Sequence, residues 1–316
     1  MVTSAQTPIA KAKQAPKSFV PLSKIWRYLG KTSQCLIENP SLFFMRKLAR
    51  FEIVRNLVYQ WHKTFAPPQP ISITASHLQN FDVNQVVSAI ATDGYYAGLQ
   101  LSQSVVQELL DYAYSTPCYG DRNPNLKFYI HERAAIEAKL GRSLQGASYL
   151  NDLCPTLKAL IEDPGLLAIA AQFLGATPAY VASEVMWSFP RAATWVEQLK
   201  MAQVFHYDID DYRSIKFFFY LTDVNELNGP HVCLKGTHKH KKFLHQLIGQ
   251  RCASIADEQL AQEYGAENVR VLCGKAGFGF AEDTCCFHKG TLPRQGSRLM
   301  LQIEYAINSY GNIRAY

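Results

Sequence analysis

The chain lacks the usual marks of a disulfide-stabilised, zinc-stabilised or membrane-spanning protein. Its eight cysteines are scattered through 316 residues, with no Cys-x-x-Cys pair and no framework spacing. No apolar run approaches the roughly 20 residues that a membrane-spanning helix needs. The polar first segment has no hydrophobic region of the signal-peptide type. We therefore expect reduced thiols and a cytoplasmic location.

Motifs for dinucleotide binding and for serine hydrolysis are also missing. Gly277 and Gly279 begin a glycine pattern, but Glu282 stands where the third glycine of the dinucleotide fingerprint would be. No Gly-x-Ser-x-Gly elbow occurs, and no internal repeat is visible. What the chain does have is 48% hydrophobic and 12% aromatic residues, enough for a large buried core.

Positive charge is concentrated at the N-terminus. Residues 1–64 hold eleven lysines and arginines against two glutamates, so the net charge of +6 belongs entirely to this region. Apolar side chains recur there at helical spacing, at Phe44, Leu48, Phe51, Val58 and Trp61. The pattern predicts an amphipathic helix over 41–62 that packs this stripe on the core and keeps its basic face in water. Contact of the helix with an anionic membrane surface is the alternative, and no nucleic-acid partner is expected.

Prolines at 67, 68 and 70 end the helical part, because proline removes a backbone donor and restrains the residue before it. We place a boundary there, between a basic, mostly helical extension (1–66) and a second domain (67–316). Within that domain, helical patterns dominate 67–179, and eight short strand patterns follow over 180–308. This order predicts an α+β fold with N-terminal helices flanking a double-stranded β-helix, the jelly roll of cupin-like proteins.

One triplet carries chemistry. His206, Tyr207 and Asp208 form the only His-x-Asp or His-x-Glu triplet in the chain. On a strand, residues two apart share a face, so His206 and Asp208 project together. A second imidazole from another strand, for which His288 is the candidate, would give the facial arrangement of two nitrogens and one carboxylate found in non-haem Fe(II) oxygenases.

The surroundings of the triplet resemble a known family. In AQVFHYDIDDYRSIKFFFYLTDVNELNGPHVCLKGTHK, the triplet is followed by an aromatic strand, an Asn-Gly-Pro turn and a strand ending in KGTHK. In AGFGFAEDTCCFHKGTLPRQGSRLMLQIEYA, a glycine-led strand precedes a histidine and, ten residues later, an arginine. The whole is similar to the phytanoyl-CoA dioxygenase-like family of Fe(II)/2-oxoglutarate-dependent oxygenases over about residues 90 to 308.

The resemblance implies Fe(II) and 2-oxoglutarate as cofactors, with His206, Asp208 and His288 as the iron ligands. It also implies that Arg298 pairs with the distal carboxylate of 2-oxoglutarate, a contact that suits the planar guanidinium. Arg294 is the rival for that role. We favour Arg298, because it opens a predicted strand, whereas Arg294 lies in a turn.

Lys216 shares a strand face with Phe218 and Tyr220. It either supplies a second positive charge to the co-substrate or marks the strand end and extends to solvent. Both interpretations remain open from the sequence.

These features predict an oxygenase that hydroxylates or otherwise oxidises an unactivated C–H bond of a small organic molecule or lipid, using O2 and converting 2-oxoglutarate to succinate. One alternative is a jelly-roll metal-binding protein that does not oxidise and acts as a sensor or scaffold. A weaker alternative is a cupin-like isomerase or hydrolase that uses another divalent metal.

Several other residues have weaker claims. His238 and His240 have metal-like spacing but lie in a basic stretch, and we expect them in a surface turn. Cys286 should share the face of His288 and line the pocket without reacting. Aromatic candidates for a substrate pocket are Tyr95, Tyr96, Trp187 and Tyr212, which the sequence cannot orient.

Overall fold

Two antiparallel sheets form the centre of the computed structural model, which describes residues 2–3, 34–149 and 154–311. The strands are β1 (Val2–Thr3), β2 (Tyr95–Gln100), β3 (Cys118–Gly120), β4 (Lys127–Phe128), β5 (Gly146–Ser148), β6 (Ala179–Ser188), β7 (Ser214–Tyr220), β8 (His231–Leu234), β9 (Val269–Leu272), β10 (Phe278–Glu282), β11 (His288–Gly290) and β12 (Arg298–Ala306). The large sheet has the order β2-β10-β7-β12-β6-β5-β3-β4, and the small sheet has the order β1-β9-β8-β11.

Most helices precede the long strands or connect them. They are α1 (Pro40–Leu48), α2 (Glu52–Phe65), α3 (Val83–Asp93), α4 (Gln103–Ser115), α5 (Arg133–Leu140), α6 (Pro155–Ile161), α7 (Pro164–Leu174), α8 (Trp195–Lys200), α9 (Phe243–Ile248) and α10 (Asp257–Tyr264). Three short 3-10 turns lie at Ile130–Glu132, Gly249–Ser254 and Ala266–Asn268. Helices combined with antiparallel sheets confirm the predicted α+β class. None of the helices in the described ranges is both long and apolar enough to cross a bilayer.

The central strand β7 explains how the layers stack. Every residue of SIKFFFY is buried, because β10 and β12 flank the strand and both of its faces are covered. Ile215, Phe217 and Phe219 belong to the large core beneath helices α3, α4 and α7. Phe218 and Tyr220 point the other way, into a smaller core between the two sheets. The interior between the sheets is where alternate residues of β7, β10 and β12 meet β8.

Helix α1 packs on the outer face of the small sheet. Leu42 and Met45 of α1 are fully buried against Phe205 and Tyr207 in a third core cluster. Phe205 and Tyr207 alternate with His206 and Asp208, so α1 supports the segment that carries those two side chains from behind.

The single helix predicted over 41–62 is wrong in two respects. The chain breaks between α1 and α2, and the stripe expected to pack on the core is largely exposed at Phe44, Leu48 and Trp61. Arg55, expected on the solvated face, is buried and donates to the carbonyl oxygens of Ala49, Arg50 and His238. Its guanidinium therefore satisfies carbonyl groups at the end of α1, and the break shifts the helical phase of everything that follows.

Gly94 shows how closely α3 approaches the chain just before His288. It ends α3 in the left-handed conformation, with φ of 87°. An added Cβ would lie 2.1 Å from Cys286 Sγ and 2.8 Å from His238 Nδ1. Its carbonyl also accepts a hydrogen bond from the Asp283 backbone N–H.

We expect Gly94→Ala to lower the free energy of unfolding by about 3 kcal/mol or more, because overpacking adds to left-handed strain. Gly141→Ala is the matched control: Gly141 also ends a helix with φ of 63°, but nothing lies within 4 Å of its added Cβ. That variant should lose only about 1 kcal/mol. Urea unfolding of both variants measures the difference, and equal losses would contradict the close packing.

Candidate metal centre

Three side chains of the small-sheet side converge at one point. The donor atoms of His206, Asp208 and His288 all lie within 4.8 Å of one another. His206 Nε2 is 3.9 Å from Asp208 Oδ1, and His288 Nε2 is 3.7 Å from Asp208 Oδ2. Two imidazole nitrogens and one carboxylate form a set that can hold a divalent transition metal.

Backbone pairing sets the position of both imidazoles. The His206 N–H donates to the His288 carbonyl (3.0 Å), and the His288 N–H donates to the His206 carbonyl (2.8 Å). Residues that exchange both hydrogen bonds stand directly opposite each other, with side chains on the same face. The two ring centroids are accordingly 4.4 Å apart. Asp208 lies two residues along the same segment and reaches the same side.

Each ring is also held at its other nitrogen. His206 Nδ1 lies 2.9 Å from the Val204 carbonyl oxygen, and His288 Nδ1 lies 3.0 Å from the Cys286 carbonyl oxygen. A carbonyl accepts only from N–H, so both rings carry the proton on Nδ1 and present the Nε2 lone pair to the centre. Such an orienting contact is the usual outer support of a metal-binding histidine. The donor set therefore fits a metal in chemistry and in tautomer.

Lys216 lies beside the carboxylate of this group. Its Nζ is 2.6 Å from Asp208 Oδ2, 3.1 Å from Asp210 Oδ2 and 3.3 Å from Glu304 Oε2. Burial lowers the pKa of Lys216, but the three neighbouring carboxyl groups raise it by more. The net pKa of Lys216 therefore lies well above its ordinary value. Burial likewise raises the pKa of Asp208, and Lys216 with the two imidazoles lowers it below the ordinary range.

These contacts decide between the two interpretations of Lys216 only in part. The side chain is buried, so extension to solvent is wrong. A contact of Lys216 with the co-substrate stays a prediction. Its ammonium is already compensated by Asp208 and Asp210, while burial raises the pKa of Glu304, which lies 3.3 Å away, well above its ordinary value.

Arg298 is also a buried cation, but its hydrogen-bond acceptors are uncharged. Its guanidinium donates to the Gly229 carbonyl oxygen and to Ser188 Oγ (3.1 Å), while its Nε has no hydrogen-bond partner. Among the described residues, no carboxylate lies within ion-pair distance of it. Burial lowers the pKa of Arg298, although Tyr220 opposes the shift. An unpaired buried guanidinium favours an anionic ligand, since burying an isolated charge is costly.

Arg298 and the metal centre lie along one strand face. An added Cβ on Gly290 would be 3.3 Å from Arg298 Nη2, so the guanidinium lies over Gly290. Gly290 follows His288 by two residues in β11 and faces the same side, about 7 Å along the strand. The rival Arg294 is exposed, and its Nη2 donates to the Glu226 carbonyl oxygen at the surface.

Sequence reasoning missed a second pair in the interior. The ring of His231, in β8, stacks on that of His288 with centroids 5.6 Å apart, and His231 Nε2 lies 2.8 Å from Glu282 Oε2. Burial raises the pKa of Glu282 to about 8 and lowers that of His231 to about 3. Burial therefore favours the uncharged form of both groups near neutral pH, and a hydrogen bond joins them. Alternation along HVCL predicts that His231 and Val232 lie on different faces of β8. Only the register of β8 with β11 brings His231 beside His288.

The remaining candidates are not part of the three-ligand group. His240 is exposed as expected, but His238 is buried, with its Nδ1 3.6 Å from Cys286 Sγ, so the surface turn predicted for His238 is wrong.

The four aromatic candidates for a substrate pocket are spread over the fold. Tyr95 lies in the core between the sheets. Trp187 packs on the helical side and donates to the Tyr149 hydroxyl. Tyr96 borders that same helical core, and Tyr212 lines a cavity of ≈ 380 Å³ beside α2. Another cavity of ≈ 350 Å³ is lined by Phe205 and Val232, on the face of the small sheet opposite the ligands.

No family model matches the sequence, and no curated protein matches it. Solved structures do share part of its backbone arrangement. AviO1 from Streptomyces viridochromogenes Tue57 has 14% identity and a TM-score of 0.45, covering 72% of this chain and 96% of its own. The epimerase SnoN in complex with Fe3+, alpha ketoglutarate and nogalamycin RO has 14% identity and a TM-score of 0.48, with coverage of 71% and 83%. EctD from S. alaskensis with bound Fe has 17% identity and a TM-score of 0.47, with coverage of 76% and 83%.

The uncharged state of Glu282 predicts a pH dependence of stability. An unfolded carboxyl loses its proton near pH 4.3, whereas the folded protein keeps it to about pH 8. Because the folded state binds the extra proton, the free energy of unfolding falls as pH rises between these values. The His231 contribution has the opposite sign and is confined below pH 6.5, its ordinary pKa.

We therefore expect Glu282→Gln to flatten the decline in unfolding free energy between pH 6.5 and pH 8. Urea unfolding of chelator-treated protein across this window measures it. Glu226→Gln, at an exposed site, is the control and should follow the wild type. Parallel curves for wild type and Glu282→Gln would contradict a protonated Glu282.

Proposed function

We propose that this chain is an Fe(II)- and 2-oxoglutarate-dependent oxygenase that hydroxylates or otherwise oxidises an unactivated C–H bond of a small organic molecule or lipid. One observation carries the proposal: two imidazole Nε2 atoms and a carboxylate converge at one end of a strand face, and an unpaired buried arginine lies over its other end. A metal-binding group alone would be less specific, because many functions use one.

In this proposal His206, Asp208 and His288 would hold the iron with two imidazole nitrogens and one carboxylate, the donor set of a non-haem Fe(II) oxygenase. Iron with 2-oxoglutarate supplies the oxidising chemistry when bound. The residues of the chain orient these reactants. Val204 and Cys286 carbonyls fix the two rings, and Lys216 holds the Asp208 carboxylate in its ionised form.

Arg298 binds the distal carboxylate of 2-oxoglutarate, with the Ser188 hydroxyl beside it. The co-substrate is a five-carbon dicarboxylate, so it could bind at the metal centre through its keto-acid end and at Arg298 through its other carboxylate. The spacing of about 7 Å between His288 and Gly290 along β11 suits such a bridge. The missing side chain at Gly290 leaves room for it, because an added Cβ would press on Arg298 Nη2.

We also propose that the fold is a double-stranded β-helix and that the chain belongs to the phytanoyl-CoA dioxygenase-like family. Along the chain, β6 lies in the large sheet, the His206 segment pairs with the small sheet, β7 returns to the large sheet, and β8 and β9 lie in the small sheet. Then β10, β11 and β12 alternate again between the sheets. Winding back and forth between two facing sheets is the pattern of a jelly roll, and it supports membership of the phytanoyl-CoA dioxygenase-like group.

We also propose the division into an extension (1–66) and an oxygenase domain (67–316) with its jelly-roll core at 180–308. The end of α2 at Phe65 and the following prolines support this boundary. A cytoplasmic location is part of the proposal, supported by the free state of all eight cysteines.

Loss of one ligand should abolish the metal chemistry. Under anaerobic conditions, Fe(II) with 2-oxoglutarate should give the wild type a weak visible charge-transfer band, and His206→Ala should remove it together with the uncoupled formation of succinate in air. His131→Ala, at an exposed histidine, is the control and should retain both. A wild type without band or succinate would contradict the proposal.

Loss of Arg298 should weaken binding of the co-substrate and leave metal binding unchanged. Arg298→Ala should raise the 2-oxoglutarate concentration for half-maximal succinate formation about a hundredfold, as expected for a charge-assisted bidentate contact. Gly290→Val should raise it in the same direction by crowding the guanidinium. Arg294→Ala, the matched surface control, should leave it unchanged.

This experiment also separates the proposal from its alternative. A non-oxidising metal-binding protein would bind Fe(II) through His206 but show no 2-oxoglutarate requirement that Arg298→Ala could change. Metal binding without any such requirement would favour the sensor or scaffold function.

A further inference from the structure

The N-terminal helix α2 turns an apolar stripe to solvent. Ile53, Leu57, Trp61 and Phe65 follow one another at four-residue spacing, and they are between 54% and 72% exposed. Side chains four apart share one helix face. The opposite face is the one that packs, through Arg55 and Val58. The helix is therefore amphipathic with its apolar side outward.

Two neighbouring elements extend this stripe. On α1, Phe44 and Leu48 are also four residues apart and exposed. On α9, Phe243, Leu244 and Leu247 are between 47% and 70% exposed. We call these nine side chains the apolar face: Phe44, Leu48, Ile53, Leu57, Trp61, Phe65, Phe243, Leu244 and Leu247.

Direct contacts join α9 to the junction of α1 and α2. The rings of Phe51 and Phe243 have centroids 6.3 Å apart. The Arg50 guanidinium donates to the Leu247 carbonyl (2.6 Å), and the Glu52 N–H donates to Gln246 Oε1 (2.9 Å). The three elements are therefore adjacent in the fold, and each carries exposed side chains of the apolar face.

The packing of the fold does not account for this exposure. Leu42, Met45 and Ala49 of α1 are fully buried on the small sheet, so that helix already has its core contact. Nine large exposed apolar side chains on adjacent elements are rare on a protein that has no partner, and they mark an interaction surface.

Charge identifies the occupant. Lys47, Lys63 and Lys239 lie on or next to the elements of the apolar face and form no ion pair with a described residue. Arg50 adds to the same sign, whereas Lys242 is paired with Glu263. The sequence from 1 to 64 holds eleven basic residues against two acidic ones. Aromatic and aliphatic side chains projecting between lysines and arginines are typical of helices that lie in a bilayer interface.

We propose that the apolar face docks on a lipid bilayer surface that carries anionic phospholipid. Helix α2, about 20 Å long, lies in the plane of the interface with Leu57 and Trp61 in the acyl boundary. The positive charge of Lys47, Lys63 and Lys239 attracts the anionic headgroups. Because α1 packs directly behind the segment that carries His206 and Asp208, docking brings the metal centre close to the membrane.

Co-sedimentation of the full chain with vesicles tests the proposal. Vesicles of phosphatidylcholine alone are compared with equimolar phosphatidylcholine and phosphatidylglycerol, at low and at high salt. We expect binding to the anionic vesicles at low salt and a clear reduction at high salt. Neither iron nor 2-oxoglutarate is needed, so the result is independent of the proposed function.

Two sets of variants locate the contact. Leu57→Ser with Trp61→Ser should weaken binding at least a hundredfold, from at least tenfold for each apolar side chain removed. Lys47→Gln with Lys63→Gln should weaken it about fivefold per charge. The matched control is Val196→Ser with Leu140→Ser, on α8 and α5. These two side chains are 55% and 39% exposed but lie outside the apolar face, and the control should bind like the wild type.

Other occupants of the face would give different results. Sedimentation equilibrium of the full chain without lipid shows whether a second copy covers the face. A dimer that Leu57→Ser with Trp61→Ser converts to monomer would overturn the proposal. So would a wild type that does not bind anionic vesicles at low salt, or binding that the control variant loses equally.

Discussion

The candidate site depends on one backbone interaction, the reciprocal hydrogen bonding of His206 with His288. It places two imidazoles from segments far apart in the sequence directly opposite each other, on the face that Asp208 also shares. A shift of this pairing by one residue would turn one ring to the other face, where α1 packs on Phe205 and Tyr207. The packing of α1 on Phe205 and Tyr207 therefore helps to fix the register, since these two side chains can be buried on only one side.

Two buried cations in the same interior illustrate how burial selects function. Lys216 is surrounded by three carboxyl groups, so its charge is balanced within the protein and it stabilises the arrangement of Asp208. Arg298 has two neutral acceptors and an unsatisfied Nε, so its charge is left for a ligand to balance. Desolvation acts on both groups, and the difference lies entirely in the neighbours that the strand register supplies. His231 and Glu282 complete the interior as an uncharged pair against the ring of His288.

The N-terminal helices show the limit of pattern analysis. Periodicity of apolar residues identified helix in this region, but not its break at Ala49, and it assigned Phe44, Leu48 and Trp61 to the core. Hydrophobic spacing reports that a helix has two unlike faces and not which face meets the protein. Here Arg55 occupies the inner face, because its guanidinium satisfies carbonyl groups at the end of α1 that would otherwise be buried without donors. The apolar side is then left for another environment.

Local chemistry was readable from the sequence alone. Alternation along a strand is a property of neighbouring residues, so the common face of His206 and Asp208, the α+β class and most long strands followed from order and spacing. The partners across the sheets did not. Lys216 beside Asp208, Arg298 over Gly290 and His231 against His288 all result from registers between strands distant in the chain. Those registers are set by which faces the whole fold can bury, and that is decided only when the two sheets and the helices pack together.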